Sequence, residues 1–190
     1  MNCGQALPED LKILENLKQY ISDTLVIHKI SDSGVNLEIK LINPCYSPEN
    51  EDEIPRFDGL INYIEIRMKD RNYSDSLVYY NSGVAMSLIN LTENNVVFQS
   101  ITQNKNAVFI SFSYCGTTDP DEERITYIVF YDRKKYLFDI NLRVTETEYF
   151  RNYQIVDDLY DKLKDLPEML KRTLIKHLHI KHEIHIKIEE

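Results

Sequence analysis

The chain has 190 residues, with 22 Lys and Arg against 31 Asp and Glu, giving a formal charge of −9 at neutral pH. Hydrophobic residues make up 43% and charged residues 28%, a balance that excludes a disordered tail and a collagen-like repeat. A chain of this length can bury roughly 70% of its unfolded surface, so its core requires neither metal nor disulfide, and a single domain over 1–190 is expected.

A helix is predicted first. Pro8 suits an opening helical position, Glu9 and Asp10 suit the positive end of the helix dipole, and Leu11, Leu14, Leu17 and Ile21 recur at three to four residues. A hairpin follows: Leu25–Ile30, the turn Ser31-Asp32-Ser33-Gly34, then alternation of Val35, Leu37, Ile39 and Leu41 with polar residues. Asn43–Gly59 holds Pro44, Pro48 and Pro55 and reads as a long acidic loop. Alternation resumes at Leu60, with Asn62, Ile64, Ile66 and Met68 on the same face. Asp70–Ser76 reads as a polar turn, Leu77–Tyr80 as a short strand, and Val84–Leu91 fits either strand or helix.

The clearest strands come next. Val96–Ile101 and Ala107–Tyr114 flank one polar turn, and Arg124–Tyr131 and Tyr136–Val144 flank Asp132–Lys135. Ile125–Tyr131 is apolar on both faces, as a central strand covered on two sides would be. The period then changes. Tyr153, Val156, Leu159, Tyr160, Leu163 and Leu166 mark a helix, and Asp165 and Pro167 open a second one carrying Met169, Leu170, Leu174 and Leu178. Ile180, Ile184, Ile186 and Ile188 alternate with polar residues and predict a closing strand, with room for the preceding helix to run a few residues into it. The expected fold is α+β: an N-terminal helix, an antiparallel sheet of about seven to nine strands in hairpins and meanders, C-terminal helices on one face and a short final strand.

Met1–Asp10 has no basic and apolar leader pattern, and no apolar run reaches about 18 residues, so a cytoplasmic setting is expected. Cys3, Cys45 and Cys115 are odd in number and widely spaced, which argues against a disulfide framework or a cysteine zinc site. Asn72-Tyr73-Ser74 and Asn90-Leu91-Thr92 match the glycosylation sequon, which matters only on a secretory route.

No motif names a reaction. His177, His179 and His185 would share a face if their segment were a strand, making them weak metal candidates. His182-Glu183-Ile184-His185 lacks the interval of a zinc-protease helix. Cys115 has only acids for neighbours, which disfavour a thiolate. No P-loop, dinucleotide fingerprint or nucleophile elbow occurs, so no catalytic residue and no cofactor are assigned.

The acids gather in two places. Glu49, Glu51, Asp52, Glu53 and Asp58 surround Arg56, and Asp119, Asp121, Glu122 and Glu123 form a second knot. Lys171–Lys187 is locally positive. This disfavours direct binding to nucleic acid or an anionic membrane and favours a basic protein partner. The 13 tyrosines, with no tryptophan, supply residues common in interfaces, Tyr114 beside the second knot among them. The expected function is therefore a non-catalytic protein-binding module, most concretely an acidic inhibitor of immunity type that neutralises a basic partner such as a nuclease toxin. Two alternatives remain: a ligand-binding or enzymatic domain with a pocket in the curved sheet, and a structural subunit of a homo-oligomer or larger complex.

Overall fold

The computed structural model describes residues 24–45, 62–70, 73–80, 88–103, 105–115, 122–146 and 151–182. Ten strands and few helices are found among these residues, in two antiparallel sheets. They divide into two compact units: one takes residues up to Asn94 plus the end of the seventh strand, the other takes the rest. The predicted N-terminal helix lies outside the described residues.

The first unit is built on a four-stranded sheet in the order β1-β2-β3-β4: β1 (Thr24–Ile30), β2 (Asn36–Ile42), β3 (Tyr63–Asp70) and β4 (Tyr73–Tyr80). The period-2 pattern dictates its two faces. Leu37, Ile39 and Leu41 on β2, Ile64, Ile66 and Met68 on β3, and Leu77 and Tyr79 on β4 are buried, together with Ile27 of β1. The register sets them side by side, Ile39 against Ile66 and Ile66 against Leu77. The expected β1–β2 hairpin is present, and its turn closes through the Gly34 N–H donating to the Ser31 carbonyl at 2.9 Å. Gly34 sits at φ +86°, where a Cβ is disfavoured. β4 begins at Tyr73, earlier than its polar residues indicated, because Ser74, Asp75 and Ser76 pair with Lys69, Met68 and Arg67 in an unbroken ladder. Within the ambiguous run, β5 (Leu88–Asn90) is strand, with 84–87 outside the described residues, and it pairs with β7 (Lys105–Cys115), whose last residues Tyr114 and Cys115 belong to this unit.

The second unit holds β6 (Val96–Thr102), most of β7, β8 (Glu122–Tyr131), β9 (Lys134–Glu146) and β10 (Arg151–Ile155), followed by α1 (Leu159–Lys162) and α2 (Glu168–His182). Ile125–Tyr131 of β8 are all buried, as its two-sided apolar pattern requires. One sheet face, with Phe109, Ile125, Tyr127, Val129, Ile140 and Leu142, packs against Leu159, Leu163, Leu166, Leu170, Leu174 and Leu178. Leu170, Leu174 and Leu178 recur every fourth residue and form the buried stripe of α2. The β8–β9 turn is tighter than the four polar residues predicted: Tyr131 pairs with Lys134, leaving Asp132 and Arg133 at φ 52° and 61°. That is the two-residue mirror turn favoured by strand twist.

One C-terminal expectation is corrected and a second is shortened. The helix predicted from Tyr153 starts only at Leu159, because Tyr153 and Ile155 lie on β10, opposite Val144 and Leu142 of β9. Asp158 caps α1, its carboxylate accepting from the N–H groups of Tyr160 and Asp161 at 3.0 and 3.2 Å. Over the first residues of the predicted closing strand, α2 runs on through His182, since its leucine stripe carries the helical period past Leu178; the rest of that strand, Ile184–Ile188, lies outside the described residues. No helix among the described residues is long and apolar enough to cross a membrane.

Candidate acidic interaction end

Segment 46–61 leaves from one end of the first unit's sheet, and segment 116–121 follows the last residues of β7 along the chain. The end in question carries Leu41–Ile42, Tyr63–Ile64 and Tyr79–Tyr80, which the register aligns across β2, β3 and β4. Segment 46–61, with Glu49, Glu51, Asp52, Glu53 and Asp58, connects β2 to β3 at this end. Its two roots are fastened together. The Asn62 side-chain amide donates to the carbonyls of Ile42 and Asn43 at 2.9 and 2.6 Å, and its oxygen accepts the Ile89 N–H at 3.0 Å. The Cys45 N–H donates to the Ile89 carbonyl at 3.0 Å. Asn43 is buried at φ 49°, a left-handed conformation that asparagine tolerates better than most residues.

The second segment, 116–121, starts after Cys115 at the end of β7. Its root meets the same end of the sheet, because the Tyr114 hydroxyl is 2.6 Å from that of Tyr79 on β4, and both are buried. Tyr114 is therefore buried rather than exposed. Tyr63, at the same end, has its phenol pushed above the usual range by burial, with the Glu65 carboxylate adding to the effect.

The other acids of this set fall differently. Glu49, Glu51, Asp52, Glu53, Asp58, Asp119 and Asp121 lie outside the described residues. Glu122 and Glu123, read from sequence as loop, instead begin β8, paired with Arg143 and Leu142 of β9. They extend the ladder because strand pairing accepts charged residues at a strand's end, where one side remains wet.

The exposed face of the same sheet is electrically balanced. His28, Glu38, Arg67 and Ser76 form one rung across β1 to β4. Glu38 pairs with His28 at 3.7 Å and with Arg67 at 3.5 Å, and Arg67 reaches Glu65 at 3.9 Å. Such exposed pairs contribute about 0–1 kcal/mol and are screened by salt. Val26 and Ile30 of β1 stand among them as exposed apolar residues, 46% and 73% accessible. The surplus of negative charge thus resides in the two segments rather than on the sheet.

The histidine candidates do not converge. His177 and His179 lie on α2, not on a strand. The His177 ring stacks on Phe109 at 5.8 Å and meets Tyr127 edge-on at 6.2 Å, inside the helix–sheet interface of the second unit. His185 lies outside the described residues. Among the described residues no group of three or more His, Cys, Asp or Glu could hold a metal ion. In the same interface, burial raises the Tyr127 phenol well above the usual range.

Sequence reasoning missed Asn62 and Cys45. Asn62 was read as one more strand residue, and only its three partners reveal its fastening role. Cys45 is disulfide-bonded, against the expectation of free thiols.

No protein-family model, no curated protein and no solved structure matches this chain.

Proposed function

We propose that the acidic end of the first unit binds a basic protein partner, and that the chain acts as a non-catalytic binding module. The observation that carries this reading is the convergence of the two acidic roots, at Asn43–Asn62 and at Tyr114, on one end of one sheet. Along the chain, five acids with Arg56 follow the first root, and Asp119 and Asp121 follow the second. Clustered charge of one sign steers an oppositely charged partner and raises its association rate.

The finer form of the reading is an inhibitor of immunity type. An enzyme that acts on nucleic acid must carry a cationic substrate surface, and an acidic end is the chemical complement of that surface. Covering it would block substrate entry without any catalytic group on this chain. The test is association kinetics with the captured partner, using a variant carrying Glu51→Lys, Asp52→Lys and Glu53→Lys. The account expects slower association and a flatter dependence on ionic strength, with dissociation changed less. An unchanged association rate across salt concentrations would remove segment 46–61 from the interface.

A further inference from the structure

The sheet of the first unit has two edges, and they are finished differently. β4 ends the sheet on one side. There the Asp75 carboxylate accepts the Ser76 N–H at 2.8 Å and the Tyr73 hydroxyl at 2.7 Å, so a side chain takes a backbone donor of the edge strand. A charge held in this way discourages the approach of a further strand. β1 ends the sheet on the other side. Thr24–Ile30 holds no proline, and Lys29 is its one residue of fixed charge.

The register shows which backbone groups of β1 face outward. The Ser31 N–H donates to the Val35 carbonyl at 2.9 Å, which makes these two a hydrogen-bonded pair at the base of the turn. Bonded and non-bonded pairs alternate along an antiparallel ladder. Lys29, Ile27 and Leu25 therefore bond to β2, while Ile30, His28 and Val26 turn their N–H and C=O groups away from it. Among the described residues nothing bonds these outward groups. The same three residues put their side chains on the exposed face of the sheet, where Val26 and Ile30 are the apolar ones.

We propose that β1 is the seam of a symmetric dimer of this chain, pairing antiparallel with β1 of a second copy across a twofold axis at His28. Outward groups must stand opposite outward groups, so the axis falls on a residue and the choice is one of register. A register centred on Val26 leaves Ile30 uncovered, and one centred on Ile27 sets Val26 against His28 and Ile30 against Thr24. The register centred on His28 sets Val26 against Ile30 on each side of the axis, so both exposed apolar side chains of each copy gain an apolar neighbour. A twofold axis makes one patch complementary to itself, which is why a second copy is the occupant this strand fits. Glu38 stands 3.7 Å from the His28 imidazole and 3.5 Å from Arg67, so the face beside the seam carries both signs and does not repel its counterpart. Lys29 falls on the other face, beside Ile27 of the second copy, where a lysine stem lies along apolar surface and carries its ammonium to the rim. The two four-stranded sheets then become one continuous sheet. This inference holds whatever the acidic segments bind.

Sedimentation of the full chain between about 1 and 500 µM should pass from monomer to dimer and stop there, because one strand pair is a small interface whose occupancy follows concentration. Over the same range, hydrogen exchange read by NMR should slow at the amides of Val26, His28 and Ile30. The slowing should reach about tenfold where about nine-tenths of the chain is dimer, since those amides then exchange through the monomer. The Ser76 amide on the β4 edge should keep its rate. Val26→Lys and Ile30→Lys, both at exposed positions, should each stay monomeric at every concentration while melting near the wild-type temperature. Monomer throughout, assembly beyond the dimer, a dimer that both lysine variants keep, or unchanged exchange at Val26, His28 and Ile30 would each overturn the β1 seam.

Discussion

Replacing Asp157 should weaken the second unit in a way that depends on pH. Its carboxylate fastens the end of β10 and the start of α1 to β9. One oxygen accepts the Asn141 backbone N–H at 2.7 Å and pairs with the Lys162 ammonium at 2.7 Å; the other accepts the Asn141 side-chain amide at 3.1 Å. The side chains are only 17% and 29% exposed, so water screens the pair incompletely. A hydrogen bond to a charged group contributes about 1.5–3 kcal/mol, and bonds sharing one carboxylate do not add in full. Lys162 keeps its bond to the Asp139 carbonyl at 2.8 Å in the variant, which limits the loss. Asp157→Ala should therefore cost about 2–3 kcal/mol, and Asp157→Asn about half of that because its oxygen can still accept from Asn141. Burial disfavours the ionised carboxyl of Asp157, but the Lys162 and Asn141 hydrogen bonds outweigh it, and the group stays below its ordinary range. A depressed folded-state value means that the contribution is complete above the ordinary carboxylate range and disappears as pH falls through the folded value. The assay is urea unfolding followed by the helical signal of α2. At neutral pH, the midpoint for Asp157→Ala should fall by roughly 1–2 M with little change in slope. The gap between wild type and variant should close under strongly acidic conditions. A neutral-pH difference below about 0.5 kcal/mol, or one that persists in acid, would refute this account of the carboxylate.

Three other outcomes are expected. Leu174→Ala, in the fully buried stripe of α2, should cost about 2–5 kcal/mol in the same unfolding assay, and a loss under 1 kcal/mol would mean that α2 packs differently. At Arg133, whose φ is 61°, glycine should be neutral or raise stability by up to about 1 kcal/mol while valine lowers it by about 1 kcal/mol or more; equal melting temperatures for the two variants would contradict the mirror turn. Glu38→Gln removes a carboxylate shared by His28 and Arg67 at the surface, and thermal melts should show a cost below about 1 kcal/mol that shrinks in high salt.

Where one physical rule dominated, the fold was legible. The β1–β2 hairpin follows from alternation broken by Ser31–Gly34, and the buried two-sided run of β8 follows from Ile125–Tyr131 being apolar at every position but Thr126. Where two periods overlapped, the reading went wrong. Tyr153 and Val156 are three residues apart, which fits a helix, yet Tyr153 and Ile155 pair with β9, and the true helix start was marked instead by the cap at Asp158. The alternation of Ile180, Ile184, Ile186 and Ile188 competed with the four-residue leucine stripe, and through His182 the stripe prevailed because it buries Leu174 and Leu178 against a sheet. The acidic clusters were plain in the sequence; that their roots meet was not. That meeting depends on Asn62 and on the Tyr79–Tyr114 pair, whose partners are 19 to 35 residues away.

Affinity capture from the source cell, with the wild-type chain and the Glu51→Lys, Asp52→Lys, Glu53→Lys variant side by side, tests the acidic-end account most directly. The account predicts that wild type retains a basic protein that the variant loses, and that raising the salt releases it from wild type. Retention of the same proteins by both chains, or a partner held without regard to salt, would contradict it.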